Sequence, residues 1–355
     1  MNSTVDLPID EVAASVHTIA TDGDEADGTM QWSATTAIVV KVSAGPFTGV
    51  GWTYTDGAAA TLINDTLGPS LTTFRAHQTT AIHEHLRRLT RNLGRPGLAS
   101  MAISAIDIAV WDLKAQSLGV PLWQLFGAAD PSVPFYGSGG FTTYSNERTA
   151  RQIRHWITDL GANAVKIKIA GNWGSNVERD LERIRLVRQV AGPAVELFVD
   201  ANGGYSTAQA IRVARRCESD EVTWFEEPVS SDDPAGLAAV RSQVSCDVAA
   251  GEYVFDPVQA RTMCAAGAVD CLQLDLTRCG GFTGWLKCAA VADSFGIPVS
   301  AHCARHCMHS SAVFPGCNML STFTITPASS RCSSTESLAP LGAKSQPTPR
   351  SRARA

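Results

Sequence analysis

Several features that mark whole classes of protein are missing from this 355-residue chain. No cysteine precedes Cys217, and the 10 cysteines form no Cys-x-x-Cys pair and no regular spacing. That excludes a disulfide framework and points to reduced thiols in the cytoplasm. Basic residues are not in excess, since 29 Lys and Arg face 34 Asp and Glu for a net charge of −5. Neutralising phosphates takes clustered cations, so no nucleic-acid partner is expected. No uncharged apolar run approaches the ~20 residues of a membrane span, so no membrane partner is expected either. The opening stretch, MNSTVDLPIDEVAASVHTIA, lacks the basic start and apolar run of a secretory signal. What is present is 45% hydrophobic sequence, enough for one large or two ordinary domains without a metal or disulfide staple.

The pattern changes along the chain. Residues 35–42 (TTAIVVKV) read as a β-branched strand with a hairpin partner at 47–54 (FTGVGWTY). Helical spacing follows at 78–92. The stretch 99–118 is apolar almost all round and ends at a glycine, as a buried helix does. Together they suggest a small α+β unit over residues 1–128. From 129 to 315, short apolar runs alternate with amphipathic segments at 177–191, 207–217, 256–266 and 284–295. The runs lie at 133–139, 164–169, 195–200, 222–227, 247–252, 271–275 and 297–302. Strand–helix alternation implies parallel βαβ units, and seven strands so spaced fit a (β/α) barrel better than an open sheet.

Five of these strands end on an ionisable residue: Asp200, Glu226, Glu252, Asp275 and His302, at intervals of 26, 26, 23 and 27 residues. One βα unit repeats at about that length, which would bring all five side chains to the C-terminal rim, where barrels of this kind carry their active sites. A single acid at a strand end is commonly a helix N-cap or a solvated loop residue, but five in register ask for a shared role. Asp200, Glu226 and Glu252 would converge as like charges that cannot all stay ionised without a cation. Oxygen-only anionic ligands favour Mg²⁺ or Mn²⁺ over Zn²⁺. Lys166 and Lys168 share one strand face. Taken alone, Lys-x-Lys fits better an edge strand with a solvated basic face. Pointing inward, a lysine beside another cation would have a lowered pKa and serve as a base. Asp275 would fix the tautomer of His302.

The sequence resembles the mandelate racemase/muconate-lactonizing enzyme group of the enolase superfamily, in its mandelate racemase-like branch. The residues that carry this are KIK at 166–168, VDANGGY at 199–205, WFEEP at 224–228, AAGE at 249–252, LDLTRCGGFTGW at 274–285 and SAH at 300–302. Residues 99–127 resemble the family's join between cap and barrel. The resemblance implies a (β/α)7β TIM-like barrel with an N-terminal α+β capping domain. It implies Mg²⁺ on Asp200, Glu226 and Glu252, Lys168 as base with Lys166 beside it, and the Asp275–His302 dyad as acid/base on the opposite face. Asn202 and Ser138 would contact substrate, and the loops around Asp24–Trp32 and Trp52–Asp56 would cover it. The implied chemistry is abstraction of the proton α to the carboxylate of a small molecule, a sugar acid above all. Dehydration is favoured over racemisation or epimerisation of a 2-hydroxy acid, and a homo-oligomer is implied. Asp275 and Arg278 stand where muconate cycloisomerases and dipeptide epimerases of the superfamily usually place a lysine, which argues against those two activities.

Residues 316–355 break the resemblance. They are polar and aperiodic, and Lys344, Arg350, Arg352 and Arg354 lie near the end with no acid among residues 341–355, so the rest of the chain is more acidic than the total suggests. This reads as an aberrant, disordered tail. Codon degeneracy permits a more specific account: shifted by one base from Leu320 to Glu336, the codons can spell EYFHDHARIE, one unmatched residue, then MLFDG, which resembles the family's closing segment. A frameshift at about residues 313–318 would remove a glutamate expected beside the substrate carboxylate and leave a catalytically impaired pseudoenzyme. His302, Cys303, His306, Cys307 and His309 suit no standard zinc spacing. RCGGFTGW lacks the Gly-Lys-Ser/Thr of a phosphate loop. The DNA across residues 305–325 tests the frameshift: its codons are expected to permit the alternate frame, and an incompatible series refutes it.

Overall fold

The computed structural model describes residues 7–127, 134–302 and, as backbone strand, 317–323. The first sheet is antiparallel, with β1 (Glu11–Ala26), β2 (Gln31–Ala44) and β3 (Phe47–Tyr54) in that order. Ile38, Val40, Val42 and Ala44 recur at every second position of β2 and are buried, the signature of a half-covered strand. The hairpin expected over 35–54 is there, with Ala44 opposite Phe47. β1 was not legible, because almost all its side chains are exposed or half-buried and its alternation carries little apolar contrast. The segments Asp24–Trp32 and Trp52–Asp56, expected as loops, are in large part the ends of β1, β2 and β3.

The helix Leu98–Leu118 is buried on nearly every side and ends at Gly119 in a left-handed conformation. It lies against β3 at backbone contact distance: a Cβ on Gly51 would stand 2.1 Å from Ala105 O, and one on Gly49 2.1 Å from Ala109 O. Only glycine permits that approach.

The second sheet is a closed parallel barrel of β4 (Phe135–Gly139), β5 (Ala164–Lys168), β6 (Glu196–Asp200), β7 (Val222–Glu226), β8 (Asp247–Ala250), β9 (Cys271–Asp275), β10 (Val299–His302) and β11 (Cys317–Phe323). The chain thus has the (β/α)7β barrel and N-terminal α+β cap expected of it. Alternation sorts the barrel side chains. Val165, Ile167, Leu197, Val199, Phe225, Leu272 and Leu274 face the helices. Tyr136, Ala164, Phe198, Trp224, Ala249 and Cys271 fill the interior as an apolar layer. The next inward positions on those strands include Ser138, Lys166, Asp200, Glu226 and Gln273, all buried.

β11 corrects the expectation that the ordered architecture ends near residue 315. Its backbone pairs with β10 at Ala301–Leu320 and with β4 at Tyr136–Ser321. Seven strands leave two open edges of unpaired N–H and C=O groups, and the Thr and Phe content of CNMLSTF suits a strand that joins them. Residues 324–355 and the candidate zinc residues Cys303, His306, Cys307 and His309 lie outside the described residues. Among the described residues no helix is long and apolar enough to cross a membrane.

The cap docks on the barrel through the start of the helix Gly281–Ser294. Asp107 Oδ1 accepts from Thr283 N (3.0 Å), Ser104 Oγ from Gly280 N (2.8 Å), and Trp111 Nε1 donates to Thr283 Oγ1 (2.9 Å). Helix-start donors with no intrahelical partner are thereby satisfied from another domain. Asp107→Ala is expected to cost about 1–2 kcal/mol, the range of a lost helix cap, read as a lower urea midpoint. An unchanged midpoint refutes this account of the docking.

Candidate active site

Each charged side chain at the barrel mouth is placed by its strand. Lys166 and Lys168 project inward from β5, and Asp200 and Glu226 close β6 and β7. Glu252 lies two residues past β8, and the turn that returns it to the interior passes through Gly251 at φ 129°. A Cβ there would stand 2.6 Å from Gln273 O, so AAGE needs its glycine. Asp275 and His302 end β9 and β10 directly opposite each other in the ladder.

The carboxylates are not left bare. Lys168 Nζ donates to Asp200 Oδ2 (2.5 Å), and Lys166 Nζ donates to Glu226 Oε1 (2.5 Å) while lying 3.4 Å from Asp200 Oδ2. Glu226 Oε2 accepts from Trp224 Nε1 (3.1 Å) and Gln273 Nε2 (2.9 Å). Gln273 Nε2 also donates to Tyr136 OH at 2.8 Å. Across the mouth, His302 sits between two acids, Nε2 3.1 Å from Glu252 Oε2 and Nδ1 2.9 Å from Asp275 Oδ2. Arg278 Nη1 donates to Glu252 O (3.1 Å) and lies 3.5 Å from Glu252 Oε1.

Electrostatics follow from these contacts. Burial alone would raise the Asp200 carboxyl, but the ammonium groups of Lys168 and Lys166 hold it well below the usual carboxylate range. Burial and the neighbouring Asp200 charge push Glu226 up to about 7. Burial works against ionised Asp275, yet the His302 hydrogen bond and the Arg278 charge bring it down to about 2. Glu252 is lowered despite its burial, by His302 and Arg278. The lysines correct an expectation. Burial and the Lys166 charge pull Lys168 down, but Asp200, Glu252 and Glu226 together outweigh them, so its pKa is raised. Burial pulls Lys166 down too, yet Glu226, Tyr136 and Asp200 together raise it further.

The positions expected to contact substrate are also here. Asn202, at φ 44°, donates its N–H to Asp200 Oδ1 (2.9 Å). Asn202 Oδ1 and Ser138 Oγ are buried with no hydrogen-bond partner. All nine residues singled out by sequence therefore meet at one rim. Sequence reasoning passed over Glu227. Strict alternation would turn it away from Glu226, but at φ 37° the backbone leaves the strand path. It is buried with Oε1 unpartnered, and burial with the Glu252 and Asp200 charges drives its carboxyl well above the usual range. The doubled Glu of WFEEP was its signal. Arg278 and Tyr54, whose hydroxyl donates to Asp275 Oδ2 (2.7 Å), were not assigned to the site either.

The residue set suits a hard divalent cation. Asp200, Glu226, Glu227 and Glu252 are buried together, every donor is oxygen, and Glu227 and Asn202 each hold a buried oxygen without a partner. Among the described residues no three His, Cys, Asp or Glu side chains gather as metal ligands, and the lysines sit on Asp200 Oδ2 and Glu226 Oε1.

The cap covers this mouth. Thr142 N donates to Ala26 O (2.8 Å), Trp173 N to Gly28 O (2.8 Å), and Tyr144 OH to Glu25 Oε1 (2.9 Å). The turn between β1 and β2 is thus seated on the loops that follow β4 and β5.

This architecture and site chemistry have known counterparts. Residues 15–127 match the mandelate racemase / muconate lactonizing enzyme N-terminal domain, and residues 148–340 match the enolase C-terminal domain-like family. The chain is 32% identical to the 3,6-anhydro-alpha-L-galactonate cycloisomerase of Streptomyces coelicolor, over 72% of this chain and 71% of that one. It is 33% identical to the L-talarate/galactarate dehydratase of Salmonella typhimurium, over 63% of this chain and 56% of that one. Among solved structures, a mandelate racemase/muconate lactonizing enzyme-like protein from Rubrobacter xylanophilus superposes with a TM-score of 0.86 at 38% identity, covering 91% of this chain and 89% of that one. The Salmonella dehydratase liganded with Mg and L-lyxarohydroxamate superposes with a TM-score of 0.82 at 27% identity, covering 91% and 85%. With both of its domains matched and its barrel closed in the same way, this chain belongs to the mandelate racemase/muconate lactonizing enzyme family of the enolase superfamily.

Proposed function

We propose that this protein abstracts the proton α to a carboxylate with the help of Mg²⁺, and that the outcome is dehydration of a sugar acid. The observation that carries the reading is the arrangement of two proton-handling groups around one set of carboxylates. Lys168 lies on Asp200, and His302 lies on Glu252 with Asp275 behind it. Asp200, Glu226 and Glu252 would hold the metal, which when bound supplies the positive charge that stabilises an enediolate.

The protein's own groups divide the remaining work. Lys168 Nζ, once neutral, takes the α-proton and so breaks the C–H bond. Lys166 keeps a fixed positive charge beside Glu226. Ser138 Oγ and Asn202 Oδ1, both without partners, orient the substrate's hydroxyls. The imidazole of His302 places both ring nitrogens against carboxylate oxygens, which presents Nε2 as a proton donor. From there the proton goes to the departing β-hydroxyl, the C–O bond breaks with the enediolate electron pair, and water leaves. The enol that remains tautomerises to a 2-keto acid.

Support for a sugar acid comes from relatives named as L-talarate/galactarate, arabinonate and D-gluconate dehydratases. The two-sided arrangement also suits racemisation, in which His302 returns the proton from the opposite face, and likeness to a magnesium-bound racemase from Streptomyces coelicolor, 29% identical, favours that second reading. Reduced turnover from an altered C-terminal segment is the third possible outcome.

Calorimetry of Mg²⁺ into the chelator-treated full chain is expected to show binding that Asp200→Asn abolishes. A panel of sugar acids with Mg²⁺ in deuterated water is expected to give a 2-keto product, and Lys168→Ala or His302→Asn should slow it by about 10²–10⁴, the worth of a positioned acid or base. Exchange at the α-carbon with epimer formation and no keto acid would establish the racemase instead. Absence of both, with Mg²⁺ bound, would mark an inactive chain, and absence of Mg²⁺ binding overturns the reading.

A further inference from the structure

The end of β3 reaches from the cap to the loop after β9 with two adjacent side chains. Thr53 is buried and its Oγ1 donates to Thr277 O (2.9 Å). Tyr54 OH donates to Asp275 Oδ2 (2.7 Å) and lies 3.5 Å from His302 Nδ1. The Tyr54 ring faces the Arg278 guanidinium at 4.8 Å, and the Tyr253 ring faces that guanidinium at 4.6 Å. Flat cations over aromatic faces are held by the ring quadrupole, so these three side chains brace one another.

Asp275 takes four donors. Oδ1 accepts from Thr277 N and Thr277 Oγ1, both at 2.7 Å, and Oδ2 accepts from His302 Nδ1 (2.9 Å) and Tyr54 OH (2.7 Å). A carboxylate offers about four lone-pair sites, so the group is fully committed. Arg278 Nε stands 3.7 Å from Oδ2 and makes no hydrogen bond, so it does not duplicate the hydroxyl. Three of the four donors belong to the barrel, and the cap supplies the fourth.

We propose that Tyr54 is a positioning residue for the Asp275–His302 dyad: its hydroxyl fixes the carboxylate oxygen that accepts from His302 Nδ1, so the seated cap adds a restraint to the ring beyond the barrel's own contact at Nε2. Without it, Oδ2 loses one of its two donors, and the carboxylate gains room to pivot about the Oδ1 that Thr277 holds, carrying the Nδ1 side of the imidazole with it. The role assigned to His302 rests on the proposed function, but the restraint on its ring does not.

The test uses the full chain labelled with ¹⁵N-histidine, with His302 identified by the resonance lost in His302→Asn. Tyr54→Phe keeps the ring against Arg278 and leaves Thr53 in place. It is expected to broaden or shift the His302 Nδ1–H resonance, with water exchange faster by about tenfold. Tyr54→Leu should do so more strongly. Thr53→Val removes the neighbouring cap contact and should leave that resonance in place. With whichever sugar acid the unmodified enzyme turns over, Tyr54→Phe should lower kcat by about tenfold, part of the ~10²–10⁴ a general acid is worth, and move KM by less than about threefold. An unchanged His302 resonance in Tyr54→Phe, or an equal change in Thr53→Val, overturns the proposal. Failure of the functional reading shows separately, as a lack of Mg²⁺ binding and turnover in the unmodified chain.

Discussion

Burying like charges at the end of a closed barrel is the constraint from which the rest of this structure follows. Asp200, Glu226, Glu227, Glu252 and Asp275 are almost wholly removed from water, and a carboxylate so placed is tolerated only with a countercharge or several hydrogen-bond donors. Each solution here uses a different element. Asp200 and Glu226 take the lysines of β5, Glu252 takes His302 and Arg278, and Asp275 takes four donors from three segments of chain. Glu227 finds none of these for its Oε1, and its carboxyl is pushed upward accordingly. An extra positive charge would relieve that imbalance, which is why a hard cation suits the site.

The barrel makes such crowding possible because its interior is layered. The aromatic plug of Tyr136, Phe198 and Trp224 closes the space beneath the charges, with Phe198 and Trp224 stacked at 5.2 Å and Tyr136 edge-on to Phe198 at 5.3 Å. The same plug is not purely apolar. Trp224 and Tyr136 turn their polar atoms upward, the one to Glu226 and the other to Gln273, so the floor of the site also holds the Glu226 carboxylate in place. Barrel closure itself asks only for backbone donors and acceptors. A segment without apolar periodicity in its sequence can therefore still supply the eighth strand.

The cap is more than a cover. Asp107 and Ser104 satisfy the start of one barrel helix, while Thr53 and Tyr54 reach the end of β9 at Asp275 and the loop that follows it. Both contacts lie along one path, since the helix Leu98–Leu118 that bears Asp107 packs on the glycines of β3. Seating of the cap and geometry of the dyad are for that reason one problem in packing.

Period and spacing alone specified a good deal. Short apolar runs marked seven of the eight barrel strands within about two residues of their observed ends, and ionisable residues at near-constant intervals placed Asp200, Glu226, Glu252, Asp275 and His302 on one rim. These are local properties, written wherever burial repeats with the period of the backbone. Illegible were β1, whose exposure erased its alternation, β11, whose pairing depends on two edges far away in sequence, and Glu227, which a left-handed backbone turns out of register. The protonation of Lys168 went unread as well. A neighbouring lysine is visible two residues away, whereas the Asp200 carboxylate that outweighs it arrives only when β5 and β6 pair. Sequence by itself determined which ionisable residues stand at the barrel's strand ends and the face on which they emerge. Tertiary structure decided which charges touch, because Coulomb and hydrogen-bond energies depend on separations of a few ångströms that no linear spacing encodes.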